Sequence, residues 1–476
     1  MKSCQLLITI LVLASLCSVS FSASPRTVFV HLFEWNWTDI AKECENFLGP
    51  KGFAAVQVSP PQEHVKGSQW WTRYQPVSYK IGSRGGSREQ FEDMVKRCKA
   101  VGVNVYVDAV INHMSSVGSG VGVAGSSYEE YSYPAVPYGR GDFHFCGTRD
   151  NDIFNYNNAY EVRYCELLNL ADLATEKDYV RDKIAGYMSD LVAMGVAGFR
   201  IDAAKHMEPK DITELLKRVE GNPYVFQEVI AQSPSEPIRA EEYFATGDVT
   251  EFNYQLKIAE HFKEKGKVKY LETFGERWGL IPSDKAIVFT ANHDSERGHG
   301  GGGSVLTFRY GKLFEIAEVF MLAWPYGYPK VMSSYEFSGD DQGPPATSPY
   351  SGSTITCGFN EAWKCQHRWT PIANMVGFRN VAADKFVVTN FVAKGNVIAF
   401  GRAERGFVVI NREDFSISES YKTSVASGTY CDVISGNFED GKCTGNTVVV
   451  DAEGNISVSV PALSAVAIHA NAKLGS

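Results

Sequence analysis

Short runs of apolar residues recur along the chain up to about residue 333, and longer segments with helical periodicity lie between them. The runs are continuous rather than alternating, which is typical of buried parallel strands. They are 28–32, 53–58, 103–111, 196–201, 224–227, 287–291 and 330–333. Segments 88–101 and 178–194 place large apolar residues at helical spacing, and each ends at a glycine, Gly102 or Gly195. This alternation predicts an α/β fold, a (β/α)8 TIM barrel.

Two regions depart from the alternation. About sixty residues rich in Gly, Ser, Tyr and Asn follow the third strand, and this length predicts an inserted loop-rich domain at 112–173. Beyond the barrel segments 23–111 and 174–384, strands alternate in polarity between Gly-Asn turns. That pattern predicts a C-terminal antiparallel β-sandwich domain at 385–476.

The first 22 residues have the pattern of a secretory signal. Lys2 precedes an apolar stretch at 6–16 and a small-residue segment that ends near Ser22 or Ala23. The stretch is short for a membrane span, and no later segment is long and apolar enough to be one. We therefore expect a secreted, extracellular protein without a membrane partner.

Composition sets further limits. The chain has 476 residues, of which 44% are hydrophobic and 21% charged, so it can bury a large core and is not expected to be disordered. The formal net charge is −9, and losing Lys2 with the signal makes it more negative. An acidic chain of this kind is not expected to bind nucleic acid.

The cysteines indicate disulfide bonds. Ten become eight when Cys4 and Cys17 leave with the signal, and an even set favours disulfides in a secreted chain. Roughly a hundred pairings are possible for eight cysteines. No Cys/His cluster suggests zinc. The best candidates for local bridges are the close pairs Cys357 with Cys365 and Cys431 with Cys443.

Three apolar runs lead into carboxylates, namely Asp202, Glu228 and Asp294. Strand ends are where barrel enzymes keep their catalytic residues, and burying acids beside apolar strands costs free energy. This pattern indicates an active site. The alternative is that the acids cap strands or pair with Arg200 and Arg297.

Four segments carry a resemblance to a known family. They are 107–113 (VDAVINH), 198–206 (GFRIDAAKH), 227–230 (QEVI) and 292–294 (NHD). Together, and in this order, they resemble animal-type alpha-amylases, which are retaining glycoside hydrolases, and the similarity runs through nearly all of the mature chain. Retaining hydrolysis needs one carboxylate as the nucleophile and a second carboxyl as the acid. The resemblance implies Asp202 as nucleophile, Glu228 as general acid and then base, and Asp294 as stabiliser of the transition state.

The resemblance also implies residues that contact substrate. They are Trp70, Trp71, Tyr74, His113, Arg200, Lys205, His206, His293 and His299. Flat rings stack on sugar faces, and imidazoles donate to hydroxyls. The alternative for the rings and histidines is core packing, and for Asp108 it is an ion pair with Arg200 rather than a sugar contact. The glycine-rich segment 298–303 resembles the family's mobile loop, and it lacks the Lys-Ser/Thr pair of a phosphate-binding loop.

The implied cofactors are one calcium ion and, in many relatives, chloride. The calcium positions are Asn112, Asp172 and the carbonyls of Arg163 and His206, and these suit a hard cation; capping of turns is the alternative for the two side chains. For chloride, Arg200 and Asn292 match, whereas Glu336 stands at the position aligned with the second basic ligand. A carboxylate there would repel an anion, so we hypothesise activity without chloride.

The resemblance also implies the complete set of disulfides. The two close pairs match it, and the remaining pairs that it supplies are Cys44 with Cys98 and Cys146 with Cys165. Two glycosylation sequons begin at Asn36 and Asn455.

The predicted function is endo-hydrolysis of internal α-1,4-glucosidic bonds in starch, glycogen and malto-oligosaccharides, carried out by a monomer. One alternative is a related α-glucosidase or transglycosylase, because the same acids can serve water or a sugar acceptor. The other is a catalytically silent carbohydrate-binding barrel protein, against which the intact acids argue.

Overall fold

Eight parallel strands close into a barrel in the computed structural model, which describes residues 27–116 and 118–475. Each strand pairs with the next along the chain, and the last pairs with the first. The strands are β1 (Phe29–Leu32), β2 (Ala55–Val58), β3 (Asn104–Ala109), β4 (Gly198–Ile201), β5 (Tyr224–Gln227), β6 (Asp248–Thr250), β7 (Ala286–Val288) and β8 (Tyr328–Ser333). The predicted barrel is confirmed. All seven predicted runs overlap strands, and β6 was missed because its three residues contain only one large apolar side chain.

Seven helices of at least seven residues accompany the barrel strands in the described part of the chain. They are α1 (Trp37–Glu43), α2 (Arg88–Ala100), α3 (Asp178–Ala193), α4 (Pro209–Leu216), α5 (Phe252–Lys263), α6 (Lys312–Ala323) and α7 (Thr370–Val381). The two predicted helices, α2 and α3, are confirmed to within one residue at their C-terminal ends. A capping box between Ser87 and Gln90 fixes the start of α2.

Aromatic side chains fill the barrel at the end where the strands begin. The ring of Phe29 lies 5.5 Å from Tyr106, 5.5 Å from Phe226 and 4.8 Å from Tyr328. All four rings are buried or nearly so. This aromatic layer closes one end of the barrel, and the other end is therefore where a cleft can form.

The segment between β3 and α3 leaves the barrel and returns to it. It contains an antiparallel pair, His113–Ser116 with Leu170–Asp172, and a short helix, Ala159–Tyr164. In this pair Asp172 lies opposite His113. The two ends of the segment are thereby joined beside the barrel mouth.

The C-terminal region is antiparallel, as predicted. Its strands of four or more residues are β9 (Thr389–Lys394), β10 (Val397–Gly401), β11 (Gly406–Asn411), β12 (Ile417–Lys422), β13 (Gly428–Cys431), β14 (Thr447–Val450), β15 (Asn455–Val460) and β16 (Ser464–His469). β9, β10, β11 and β16 form one sheet, β12 pairs with β15, and β13 pairs with β14. Side chains from all three groups share one apolar core.

Disulfide bonds join all eight cysteines of the described residues, and every expected pair is confirmed. The bonds are Cys44–Cys98, Cys146–Cys165, Cys357–Cys365 and Cys431–Cys443. The first ties the π-helical segment Cys44–Leu48, which follows α1, to α2, and the second closes a loop within the insert. The third lies in the segment between β8 and α7, and the fourth joins the end of β13 to the two-residue strand Lys442–Cys443 before β14.

The membrane and signal predictions concern different parts of the chain. Across residues 27–116 and 118–475, the helices are all too short or too polar to span a bilayer. The predicted signal at 1–22 lies outside the described residues, as do Cys4 and Cys17.

Candidate active site

The three predicted acids lie at the end of the barrel opposite the aromatic layer. Asp202 follows β4, Glu228 follows β5, and Asp294 lies in the segment after β7. All three line one cavity of about 810 Å³. The other predicted site residues that line it are Trp70, Trp71, Tyr74, His113, Lys205, His206, His293 and His299. Every predicted catalytic and substrate-contacting residue except Arg200 therefore lines this cavity.

Arg200 lies beneath the acids and is 2% exposed. Its Nη1 is 2.8 Å from Asp202 Oδ1 and its Nη2 is 2.6 Å from Glu228 Oε1. Nη1 is also 2.5 Å from Oδ1 of Asp108, whose other oxygen accepts a hydrogen bond from the Tyr74 hydroxyl at 2.8 Å. Asp108 therefore forms the buried ion pair with Arg200 that was one of its two predicted roles, the other being a sugar contact. One guanidinium therefore holds three carboxylates in place.

The backbone after Asp202 supports Glu228 as well. Ala203 has φ +49°, which is unusual for a residue other than glycine, asparagine or aspartate. Its N–H donates to Glu228 Oε2 at 2.9 Å. Each oxygen of Glu228 thus has one fixed donor, Arg200 on one side and the turn after β4 on the other.

Burial dominates the electrostatics of the site. Burial raises the pKa of Asp202 well above its usual range, although the charge of Arg200 opposes the shift. Burial and then the negative charge of Glu228 raise the pKa of Asp294 to about 7. Desolvation lowers the pKa of His113 and of His206 to about 4, so both imidazoles are neutral near pH 7. Keeping Asp202 ionised in the buried site therefore costs free energy, and the charge of Arg200 reduces that cost.

The segment after β7 places Asp294 against the cleft. Arg297 Nη1 donates to the carbonyl of His293 at 2.9 Å, next to Asp294. A β-carbon on Gly300 would come within 3.0 Å of Asp294. Farther along, the Gln232 amide donates to the carbonyl of Gly301 at 2.8 Å across the cleft. The glycine-rich segment therefore packs directly beside the third acid.

The predicted aromatic residues differ in exposure. Trp70 and Tyr74 are buried, and Tyr74 stacks on His293 at 5.4 Å, so packing accounts for much of their surface. Trp71 is only half-buried. Among these three rings, it has the most surface available to a ligand.

Comparison with known proteins identifies the family. Residues 52–300 match the family model described as the alpha amylase catalytic domain, and residues 390–471 match the alpha amylase C-terminal all-beta domain. The chain belongs to the alpha-amylase family. It is 46% identical over 488 residues to pancreatic alpha-amylase 2a5 of Mus musculus, covering 94% of this chain and 95% of that one. It is 46% identical over 486 residues to an alpha-amylase of Pecten maximus, covering 95% and 94%.

Solved alpha-amylase structures share the whole fold. Wild-type alpha-amylase I from Eisenia fetida superposes with a TM-score of 0.88 at 41% identity and covers 94% of this chain and 98% of its own. A mutant of that enzyme in complex with maltohexaose superposes with a TM-score of 0.89, at the same identity and coverage. The similarity thus extends over the barrel, the inserted segment and the C-terminal strands.

Some residues that line this alpha-amylase cleft were not predicted from the sequence. They are Gln75, Tyr156, Leu167, Leu168, Leu170, Ala203, Ile230, Gln232, Glu236 and Asp341. Gly300 and Gly301 also line the cleft and belong to the glycine-rich segment 298–303, which was expected beside it. Most of the residues that were not predicted lie in loops without apolar periodicity, where no pattern marks the direction of a side chain. Glu236 is an example, because its carboxylate lies 2.6 Å from Lys205 Nζ and no sequence pattern marks this pair.

The proposed calcium positions meet at the junction of the insert and the barrel. Asn112 and Asp172 are both 2% exposed, and burial raises the pKa of Asp172 to about 7. His144 Nδ1 lies 2.6 Å from Asp172. The Arg163 side chain pairs with Glu208 and Glu242 at 3.2 and 2.7 Å, so only its carbonyl is suited to a cation.

The fourth position, His206, joins this region through its ring. Its Nδ1 is 2.8 Å from the carbonyl of Val162, the residue before Arg163. No group of three or more His, Cys, Asp or Glu side chains suited to a metal occurs within residues 27–116 and 118–475. The predicted set has one carboxylate, one amide and two carbonyls, which is oxygen chemistry that fits calcium.

The structure corrects the position assigned to Glu336. This side chain is 53% exposed, lies 2.6 Å from Lys364 Nζ and does not reach Arg200. The basic residue that belongs to the buried cluster is Lys330 on β8, which is 1% exposed. Burial, and then the charge of Arg200, lowers the pKa of Lys330 to about 7. Glu336 therefore gives no reason to exclude an anion beside Arg200.

Proposed function

We propose that this alpha-amylase hydrolyses internal α-1,4-glucosidic bonds of starch and glycogen with retention of configuration. The supporting observation is that Asp202 and Glu228 contact the two terminal nitrogens of one guanidinium, at 2.8 and 2.6 Å. Such a shared partner holds the carboxyl groups close together. A close pair favours the retaining separation of about 5–5.5 Å over the wider inverting one of about 6.5–9.5 Å.

In the proposed first step, a carboxylate oxygen of Asp202 attacks the anomeric carbon while Glu228 gives its proton to the departing glycosidic oxygen. The products are a covalent glycosyl ester on Asp202 and a free chain end. In the second step Glu228 removes a proton from water, which attacks the same carbon and releases Asp202. Asp294 stabilises positive charge at the anomeric carbon, and Arg200 keeps the acids in position.

Product analysis on soluble starch tests this function. An endo-acting hydrolase releases a mixture of oligosaccharides and rapidly lowers the viscosity. An α-glucosidase would release mainly glucose, a transglycosylase would form new α-linked products when given a sugar acceptor, and a silent binding protein would release nothing. Wild-type protein and the Glu228→Gln variant should be assayed in parallel, because only the former should release reducing ends.

We also propose that the protein is secreted as a monomer after removal of residues 1–22, and that the insert extends over 112–173 and the C-terminal domain over 385–476. A calcium ion would be held by Asn112, Asp172 and the carbonyls of Arg163 and His206. Its charge would stabilise ionised Asp172 and tie the insert to the barrel.

For the anion, we propose a site formed by Arg200, Asn292 and Lys330 in place of the hypothesis of chloride independence. All three residues are buried, and the charge of Arg200 acts on Lys330. The Lys330 amine has no hydrogen bond among the described residues and lies 4.7 Å from the Phe289 ring centre. When bound, chloride would supply a negative charge between two cations that repel each other.

A further inference from the structure

One end of the cleft is built by two loops that are held together. The loop 68–71 follows β2 and the loop 340–343 follows β8, and these two strands flank β1 in the barrel. The indole N–H of Trp70 donates to the carbonyl of Asp340 at 2.7 Å. A β-carbon on Gly343 would overlap the carbonyl of Ser68, so the backbones are in close contact. The wall at this end therefore depends on both loops.

Asp341 gives this wall a charged group. Its Oδ1 accepts a hydrogen bond from the indole N–H of Trp71 at 2.9 Å, and both residues line the cleft. The second carboxylate oxygen has no hydrogen-bond partner among the described residues, and the side chain is exposed. Asp341 can therefore fix the angle of the Trp71 ring and still accept a hydrogen bond from a ligand hydroxyl.

The barrel topology places Trp71 and Asp341 away from the ion pair of the cleft, Lys205 with Glu236. Lys205 and Glu236 lie on the loops after β4 and β5, across the barrel from β1. Asp202 and Glu228 also follow these two strands. A chain that extends from the acids toward the loops after β2 and β8 would therefore reach Trp71 and Asp341 some glucose units from the bond being cleaved.

We propose that Asp341 is a substrate-positioning and specificity-determining residue, which orients Trp71 and accepts a hydroxyl of a glucose unit bound at that end of the cleft. Resting on the proposed alpha-glucan hydrolysis, this assignment concerns how many glucose units are held. An indole plate with an adjacent carboxylate matches the two surfaces of a glucose ring, an apolar face and a rim of hydroxyl groups.

The test compares malto-oligosaccharides of three to seven units with soluble starch. Asp341→Ala should raise KM about three- to tenfold, the range of one hydrogen bond, for the oligosaccharides long enough to reach Trp71. The kcat should stay within about twofold of wild type, since the group does not touch the reacting atoms. The cleavage pattern of maltoheptaose should shift, while the shortest substrates should be unaffected.

Three further variants make the interpretation specific. Asp340→Asn is the matched control, because Asp340 contributes its backbone carbonyl and should behave as wild type. Asp341→Asn keeps an acceptor for the indole and should restore part of the lost affinity. Trp71→Phe keeps a ring but removes the donor, so its effect should be less than additive with Asp341→Ala.

Unchanged KM and cleavage pattern in Asp341→Ala, with an unchanged Tm, would overturn the assignment. Equal effects of Asp340→Asn and Asp341→Ala would overturn it too, because they would indicate a general effect of loop charge. Absence of starch hydrolysis by the wild-type protein would instead refute the proposed function. The two failures are therefore distinguishable.

Discussion

The two ends of the barrel are built from the same strands, but one end buries aromatic rings and the other buries charged side chains. On β3, Tyr106 belongs to the aromatic layer, whereas Asp108, two residues later, contacts Arg200. On β5, Phe226 packs against Phe29 and is followed two residues later by Glu228. Side chains two residues apart on a strand lie on the same face. The face that carries an aromatic ring at one position therefore carries an acid two residues later.

This contrast separates stability from chemistry along the barrel axis. Burial of the rings stabilises the fold, while burial of Asp202 and Asp294 raises their pKa values and disfavours their ionised forms. Substitutions in the aromatic layer should therefore reduce stability and leave the chemistry of folded molecules intact. Substitutions of the acids should abolish catalysis and leave the molecules folded.

The largest expected effect is on turnover. Asp202→Asn and Glu228→Gln should each lower kcat by about 10³-fold or more, since each removes a group that acts in the transition state. Binding of maltohexaose and the Tm should be retained, as the amides keep the size of the side chains. Activity within tenfold of wild type in both variants would show that the acids are not catalytic.

The next effect tests the other end of the barrel. Phe226→Ala should lower the free energy of unfolding by about 3–5 kcal/mol, the range for a buried ring. The specific activity of the molecules that stay folded should remain within a few-fold of wild type. Denaturant unfolding combined with active-site titration gives both quantities, and loss of turnover without loss of stability would contradict the separation.

Sequence reasoning located the acids well because their positions follow from pattern. A continuous apolar run predicts a buried strand, and its last residues must lie at the strand's end. The local disulfide pairs were also predictable, since Cys357 and Cys365 are separated by only a short loop. The pair Cys44 with Cys98 spans 54 residues, so it followed from the family resemblance and not from spacing. The strand β6 was not predictable, because polar residues flank Val249 on both sides.

Lys330 and Asp341 show why the remaining site was not predictable. Lys330 lies opposite Phe29 in the pairing of β1 with β8, and this register gives it an inward direction. In the sequence both Lys330 and Glu336 are charged residues of one short segment, and motif matching assigned the second basic position to Glu336, whose side chain is exposed beside Lys364. Asp341 lies in a loop, and only the approach of a loop from the distant strand β2 makes it part of the cleft.

Removal of calcium should loosen the junction beside the active end. Since the proposed ligands come from the insert and the barrel, a chelator should lower the Tm; an ion at a hundredfold excess over Kd contributes about 2.7 kcal/mol. Asn112→Ala should lower the Tm in calcium and reduce the response to the chelator. Elemental analysis that finds no calcium, together with an unchanged melting curve in EDTA, would contradict the proposal.

Asp294 should show its burial as a pH-dependent loss of stability. Its pKa is raised to about 7 in the folded protein, against about 4 in an unfolded chain. The folded state thus binds the proton more tightly, so stability falls as pH rises from about 4 to about 7. Asp294→Asn removes this loss and should have a higher Tm than wild type at pH 8 but not at pH 4. A constant difference across this range would contradict the assignment.

The smallest expected effect concerns the anion at Lys330. Burial and the charge of Arg200 lower the pKa of this amine to about 7, so it loses its proton as pH rises through neutrality. A bound chloride would favour the protonated amine, and chloride should therefore bind more weakly above pH 7. Adding chloride at constant ionic strength should raise activity a few-fold and raise the Tm slightly, whereas Lys330→Gln should respond less.

Glu336→Arg is the matched control, since Glu336 is exposed beside Lys364, and it should leave the chloride response unchanged. A stronger chloride response in that variant would show that the second basic ligand belongs at residue 336. Equal activity of the wild type with and without chloride would support chloride independence instead.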